Sequence, residues 1–224
     1  PNEPVVQIPE LAKLLNDRQV QYSGIMKGRG YRVGAYNFSV GNPDYPLWPF
    51  LQDGIRASDY WLLLHEYGAP FMDSDPGNLA LRHRKVLTLL APDVRAKVRI
   101  GITECGIDLG SIGSAGGYRR MPQPPGGESP IDAFIRQLTW YDAELAKDPN
   151  VHFVNMFGYG MQEPWVGLGF DLAEVEEDRN KFLDWLQGGT VPSLATTPED
   201  AHTPPPAPPP NLHKPPVNIP HEPP

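Results

Sequence analysis

Two alternating hydrophobicity patterns restrict the fold more than any other feature of this chain. Short, nearly continuous apolar runs, such as the one over 59–65, are typical of strands buried on both faces. Longer stretches with apolar residues at helical spacing, clearest over 129–147, are typical of helices packed on one face. In the opening helix this spacing gives an apolar face that includes Leu11, Leu14 and Ile25. The patterns predict helices over 10–27, 46–57, 77–90, 129–147 and 172–186 and strands over 31–40, 59–65, 98–103 and 151–157.

Strands that alternate with helices of this length form parallel sheets. Four strand–helix pairs after an opening helix are half of a (β/α)8 barrel. We therefore expect an α/β fold over 1–188 that forms half of a TIM barrel. A doubly wound open sheet is the alternative. The chain contains neither G-x-G-x-x-G nor G-x-x-x-x-G-K-[ST], so a nucleotide-binding sheet would lack its phosphate loop.

The composition of the chain changes at Gly189. Of its 28 prolines, 13 lie among the 36 residues from 189 to 224. Such a segment cannot bury a core and favours extended polyproline II conformation. We expect a proline-rich disordered tail there or a stiff linker to a further module.

Charge, hydropathy and cysteine content restrict the partners. The net charge of −8 argues against nucleic acid, because phosphate binding requires a basic surface. No apolar stretch approaches the roughly 20 residues that cross a bilayer. The single cysteine, Cys105, cannot form a disulfide within the chain, and we expect it to be a buried small hydrophobic residue.

Polar and aromatic side chains follow the apolar runs, where the predicted strands end. In α/β barrels the residues that do chemistry lie at the carboxyl ends of the strands. Burying such groups inside a strand would cost free energy, so their placement is informative. The candidate site residues are Asn2, Glu3, His65, Tyr67, Glu104 and Trp165.

These residues, in this order and with strands between them, resemble the motifs of the retaining (β/α)8 glycoside hydrolase clan, especially its cellulase-like members. In that clan an Asn-Glu pair closes strand four, a His-x-Tyr pair strand six and a Glu strand seven, and a Trp follows strand eight. The resemblance covers 1–188 and implies that these residues are the C-terminal half of the TIM barrel, strands 5–8 with their helices. It implies a hydrolase of O-glycosidic bonds in a poly- or oligosaccharide. It also implies an extracellular or cell-surface location, with the proline-rich segment as a spacer to a further wall- or glycan-binding module.

The clan also carries an Arg and a His on its first three strands, which this chain does not contain. We therefore expect the chain to be part of a longer protein and to be inactive alone.

The resemblance implies a role for each candidate. Glu104 would be the nucleophile and Glu3 the acid/base that serves the leaving oxygen and then the water. Tyr67 would hold the nucleophile in line, and Asn2 would bind the 2-hydroxyl of the sugar. His65 would contact a sugar hydroxyl or support the site from behind, and Trp165 would stack on an apolar sugar face.

One alternative function and the role of one loop stay open. A catalytically inactive barrel could act as a glycan-binding module on the cell surface. No cofactor or metal is expected, because the His65-Glu66 pair lacks the second histidine of H-E-x-x-H at position 69, which is Ala69. The long loop over 108–128 would wall the cleft, with Tyr118, Arg119 and Arg120 as substrate contacts, or would be a surface loop.

Overall fold

Four parallel strands form a single sheet in the computed structural model, which describes residues 3–163 and 165–189. Their order in the sheet is the same as their order in the chain. The strands are β1 (Ala35–Phe38), β2 (Trp61–Gly68), β3 (Arg99–Ile107) and β4 (Val151–Met156). Every neighbouring pair is parallel. The predicted mixed α/β architecture with a parallel sheet is thus confirmed.

Helices precede the sheet and connect its strands. Proline at position 49 lacks a backbone N–H, and the predicted helix over 46–57 accordingly divides into a 3-10 helix, Tyr45–Phe50, and a short α-helix. The predicted helix over 77–90 begins only at Arg82. The α-helices are α1 (Pro9–Gly28), α2 (Gln52–Ala57), α3 (Arg82–Leu89), α4 (Pro92–Arg95), α5 (Pro130–Leu145) and α6 (Glu176–Leu186).

One face of the sheet lies beneath the helices and forms the core. In the two central strands Leu62, Leu64, Ile100 and Ile102 are completely buried and belong to the same hydrophobic cluster as the apolar side of α5. The intervening residues, such as Leu63, point to the opposite face, since side chains alternate along a strand. The helical face of the sheet therefore carries the main core.

The two edges of the sheet differ in how well they are covered. The first strand has four residues and is largely buried, with Ala35 and Phe38 completely so. The last strand is exposed along most of its length, and Phe153 and Val154 are each 39% exposed. Interior strands of parallel sheets are normally buried on both faces, so β4 has the surroundings of an edge strand.

Some predictions fall outside the described residues. Asn2 is one of them, and so is the predicted proline-rich segment except for Gly189. Within the part of the chain that the structure describes, no helix combines the length and apolar character needed to cross a membrane.

Candidate active site

The carboxyl ends of β2 and β3 bring three of the predicted residues together. Leu64 pairs with Ile102 and His65 with Glu104, so Thr103 is an additional residue on the third strand. Such bulges re-aim the side chains that follow them. Glu104 thus lies within β3, which continues to Ile107, whereas the sequence predicted that the strand ends before it.

Glu104 is held by a tyrosine from the neighbouring strand. The hydroxyl of Tyr67 donates a hydrogen bond of 2.8 Å to Oε2 of Glu104. Burial raises the pKa of Tyr67 far above its usual value, and the charge of Glu104 and their hydrogen bond raise it further. The tyrosine is therefore a permanent donor that fixes the carboxylate, whose side chain is 27% exposed.

Glu3 reaches the same place from the segment before α1. Its backbone has a left-handed φ of 52° and its N–H donates to the carbonyl of Asn37 at the end of the sheet. Its side chain is 46% exposed. One donor atom each from Glu3, His65 and Glu104 lie within 4.8 Å of one another. The structure thus brings the two predicted carboxylates into one cluster.

His65 is completely buried beneath these carboxylates. Its Nδ1 lies 2.9 Å from Oε1 of Glu3 and 3.2 Å from Oε2 of Glu104. Neither contact is a hydrogen bond, because both ring nitrogens lack a partner with suitable angles among the described residues. A buried polar group without a partner costs free energy. Trp48 and Gln137 each have such an atom as well, so the position of His65 beside the two carboxylates, more than the missing partner, connects it with the site.

Among the described residues, Glu3, His65 and Glu104 also form the group that could hold a metal ion. One imidazole and two carboxylates are ligands that zinc accepts. Glu66, which would complete a His-Glu motif, is not among them because it points to the other face of the sheet. The sequence-based expectation of no metal therefore stays a prediction.

Aromatic side chains form one wall of the site. Trp165 is 42% exposed and packs edge-to-face on Phe157 and Phe170, with ring centroids 5.5 and 5.7 Å away. Phe157 in turn contacts Tyr67 at 6.1 Å. Together with Glu3, Glu104 and Asp108 these rings line a cavity of about 180 Å³. The predicted tryptophan therefore does border the carboxylates.

Glu66 has a structural position that the sequence did not reveal. Its buried carboxylate accepts hydrogen bonds from the backbone N–H groups of Leu81 and His83, the Nδ1 of His83 and the hydroxyl of Tyr141. It thereby ties β2 to α3 and α5. Since His65 and Tyr67 flank it on the strand, this network fixes the backbone from which they project.

The loop after β3 lines the site with its first residues only. Tyr118 is buried, stacks on Phe134 and donates to Asp178. Arg119 contacts Glu174, and Arg120 donates to the carbonyl of Gly167. These three residues hold the loop against other parts of the fold, and none of them lines the cavity beside the carboxylates. A surface loop does not describe Tyr118, which belongs to the core, and contact of Arg119 or Arg120 with a substrate stays a prediction.

Asp108, Phe157 and Phe170 border the site without having been singled out from the sequence. A signal existed for Asp108, because it directly follows β3. It was overlooked because the strand was predicted to end at Thr103. Phe157 carried the same signal, because it ends the predicted strand over 151–157, whereas Phe170 lies in a loop and gave none.

Comparison with known proteins adds no relative. No family model matches the chain, and searches of curated proteins and of solved structures return no significant match. The function must therefore be argued from the geometry.

Proposed function

We propose that this site cleaves O-glycosidic bonds of a poly- or oligosaccharide by a retaining, double-displacement mechanism. The observation that carries the proposal is the cluster of Glu3 and Glu104, in which a carboxylate oxygen of one lies within 4.8 Å of a carboxylate oxygen of the other. Retaining glycosidases hold their two carboxyl groups roughly 5 to 5.5 Å apart, whereas inverting ones leave roughly 6.5 to 9.5 Å for a water. The observed spacing favours retention.

Glu104 is the nucleophile in this proposal. It attacks the anomeric carbon, the glycosidic oxygen departs, and a covalent glycosyl-enzyme forms. The hydrogen bond from Tyr67 fixes one of its oxygens, which keeps the other aimed at the sugar. Positioning of this kind lowers the barrier because the reacting atoms need no further reorganisation.

Glu3 is the acid/base catalyst. It protonates the departing oxygen and then takes a proton from the water that hydrolyses the intermediate. Its greater exposure, 46% against 27% for Glu104, suits a group that must reach both the leaving group and water. Trp165 offers an exposed ring on the same wall for stacking on the sugar.

The half-barrel architecture is part of the proposal. In a doubly wound sheet the strand order reverses at a switch point. Here the order β1-β2-β3-β4 has no reversal, and right-handed crossovers then put every connecting helix on one face. A closed barrel has that arrangement.

Uncovered apolar surface also supports the half barrel. The apolar face of α1 is exposed, and a groove of about 560 Å³ runs between this helix and β1. This groove is larger than the cavity beside Glu3 and Glu104, but neither carboxylate lines it, so we do not take it as the site of the reaction. Exposed apolar surface of this extent marks an interface, and four further βα units would cover both it and the edge strands.

A metal-dependent hydrolase is the second candidate. The unpartnered nitrogens of His65 beside two carboxylates favour it. A bound ion would polarise a carbonyl or phosphoryl oxygen or activate a water. Titration with Zn²⁺ under calorimetric observation distinguishes the candidates, because a glycosidase needs no stoichiometric binding that depends on His65.

Substitution of each carboxylate in the protein at its natural length tests the glycosidase. With aryl glycosides, Glu104→Gln should lower kcat by about 10⁴-fold or more, the scale seen when a nucleophile is removed. Glu3→Gln should cost roughly 10²- to 10⁴-fold. Azide should restore Glu3→Gln and give a glycosyl azide of retained configuration, since it replaces water at the second step.

Glu10→Gln is the matched control, because Glu10 is an exposed carboxylate in the first turn of α1. It should leave kcat unchanged. Turnover that survives Glu104→Gln would overturn the assignment of the nucleophile. Binding of glycans without turnover in the parent protein would instead indicate a glycan-binding module.

A further inference from the structure

Two adjoining cavities share one dividing wall at the site. The first, of about 180 Å³, contains Glu104 and the aromatic wall, and the second, of about 240 Å³, extends toward Ser39 and Ser111. Glu3, Tyr67 and Asp108 border both. If Glu3 protonates the departing oxygen, the scissile bond lies at this wall, and one cavity receives the sugar unit on each side of it.

Asp108 is therefore placed to touch the substrate at the cleavage point. Its Oδ1 accepts a hydrogen bond of 2.8 Å from the N–H of Gly110 and caps the 3-10 helix Leu109–Ile112. Burial raises the pKa of Asp108 above its usual value. The charge of Glu3 raises this pKa further, whereas the hydrogen bond from the Gly110 N–H lowers it. The hydrogen bond from Gly110 occupies one side of the Asp108 carboxylate. The remaining side of the carboxylate borders the two cavities.

The charges around the cavities restrict what can enter. Three carboxylates line the first cavity, and among the described residues that line either cavity none is Lys or Arg. Arg119 and Arg120, the nearest cations along the loop, are engaged elsewhere. Like charges brought together in one cleft repel one another. A sugar that carries a carboxylate would meet this repulsion.

The buried imidazole of His65 supports the two catalytic carboxylates from beneath. It is fully buried and lines neither cavity, and its Nδ1 lies 2.9 Å from Oε1 of Glu3 and 3.2 Å from Oε2 of Glu104. A ligand in the two cavities therefore meets Glu3, Glu104 and Asp108 and does not meet the imidazole.

We propose that Asp108 is a substrate-contacting residue that determines specificity: it accepts hydrogen bonds from hydroxyl or amino groups of the sugar at the cleavage point and excludes uronic acids. This inference rests on the proposed function for the identity of the ligand. The contact itself requires only that glycans bind in the two cavities.

The test compares Asp108→Asn and Asp108→Ser in the protein at its natural length. Asn and Ser are both favoured helix N-caps, so each variant keeps an acceptor for Gly110 while it removes the charge. The substrates are 4-nitrophenyl glycosides of neutral hexoses and hexosamines and of the matching hexuronic acids. For Asp108→Asn, kcat/KM for the uronides should rise at least tenfold relative to the neutral substrates. For the same variant, kcat/KM for the hexosamines should fall.

Binding gives a second measurement that does not need turnover. In a Glu104→Gln background, calorimetry with neutral and uronic oligosaccharides should show the same change of preference when Asp108→Asn is added. Asp142→Asn is the matched control, because Asp142 is an exposed carboxylate on α5. Asp142→Asn should change neither the ratio of kcat/KM values nor the ratio of affinities for uronic and neutral glycans. The thermal unfolding temperature should be the same in all variants.

The outcomes separate the inference from the proposed function. Turnover that depends on Glu104, with a neutral-to-uronide ratio unchanged by both Asp108 variants, would overturn the inference and leave the glycosidase standing. Binding that prefers neutral glycans and depends on Asp108, without turnover in the parent, would support the inference and overturn the glycosidase. Preference for uronides in the parent protein would overturn the inference outright.

Discussion

Helices α1 and α5 have similar apolar spacing in the sequence but opposite surroundings in the structure. The longer connecting helix, α5, buries its apolar residues against the sheet, including Phe134, Leu138 and Tyr141. The opening helix leaves Leu14 49% and Ile25 56% exposed. Periodicity therefore shows that a helix has a face to be covered, but not which element covers it.

A polar seam attaches α1 to the rest of the fold. The side-chain oxygen of Asn16 accepts hydrogen bonds from the N–H of Gly54 and the hydroxyl of Tyr36. Ser23 contacts the hydroxyl of Ser58 at 2.9 Å. Gly54 is needed here, because a Cβ at this position would lie 2.0 Å from the Tyr36 hydroxyl. The helix is thus docked by hydrogen bonds, while its apolar face stays available.

The same substitution on each helix should give very different losses of stability. Leu138→Ala removes a side chain that is only 5% exposed and should lower the free energy of unfolding of the 224-residue chain by about 2–5 kcal/mol. Leu14→Ala removes a half-exposed side chain and should change it by no more than about 0.5 kcal/mol. Urea denaturation of both variants measures the difference.

The protein at its natural length makes this comparison sharper. If further βα units cover α1, as the half-barrel proposal requires, Leu14→Ala should there cost nearly as much as Leu138→Ala. An equal cost already in the 224-residue chain would contradict the exposed position of Leu14. No added cost at natural length would count against the half barrel.

The starts of the two helices differ in one residue type. Both have proline at the first helical position, but Ser129 caps α5 by accepting from the N–H of Asp132, whereas Ile8 offers α1 no side-chain cap. Ser129→Ala should cost about 0.5–2 kcal/mol of unfolding free energy. Ile8→Ser should stabilise the chain by a smaller amount. Thermal unfolding of the pair checks this, and a destabilised Ile8→Ser would show that the exposed isoleucine contributes packing instead.

The sequence predicted the strands better than their surroundings. Four apolar runs were sufficient to predict a parallel sheet, because buried parallel strands need such runs on both faces. The meeting of His65, Tyr67 and Glu104 followed from the rule that parallel strands end at one edge. These inferences depend on local pattern and on topology, both of which a sequence carries.

Features set by tertiary contacts escaped prediction. The docking of α1 depends on Asn16 and Gly54, which are distant in the sequence and have no periodic signature. The third strand continues past the bulge at Thr103 to Ile107, four residues beyond its predicted end, so the sequence did not indicate that Asp108 follows the strand. Tyr118 resembled a cleft residue by composition, but its partner Asp178 lies on a helix 60 residues away.

The two helices should also differ in the response of their contacts to pH, the smallest of the three effects. The seam of α1 consists of uncharged amide and hydroxyl groups. By contrast, Tyr141 on α5 joins a network in which His83 bridges Glu66 and Asp148. Burial disfavours the charged form of His83, but its hydrogen bonds to the two carboxylates outweigh this and raise its pKa above the usual value of 6.5.

A histidine whose pKa is higher in the folded state stabilises that state most when it is protonated. The contribution of His83 should be complete below about pH 6.5, the ordinary histidine value, and should be lost as the pH rises through the folded-state pKa. Unfolding free energy measured from pH 6 to pH 9 should therefore fall in the parent chain and fall less in His83→Gln. Ser58→Ala, in the seam of α1, should lower stability by the same amount at every pH. An unchanged slope in His83→Gln would mean that the bridge does not titrate in this range.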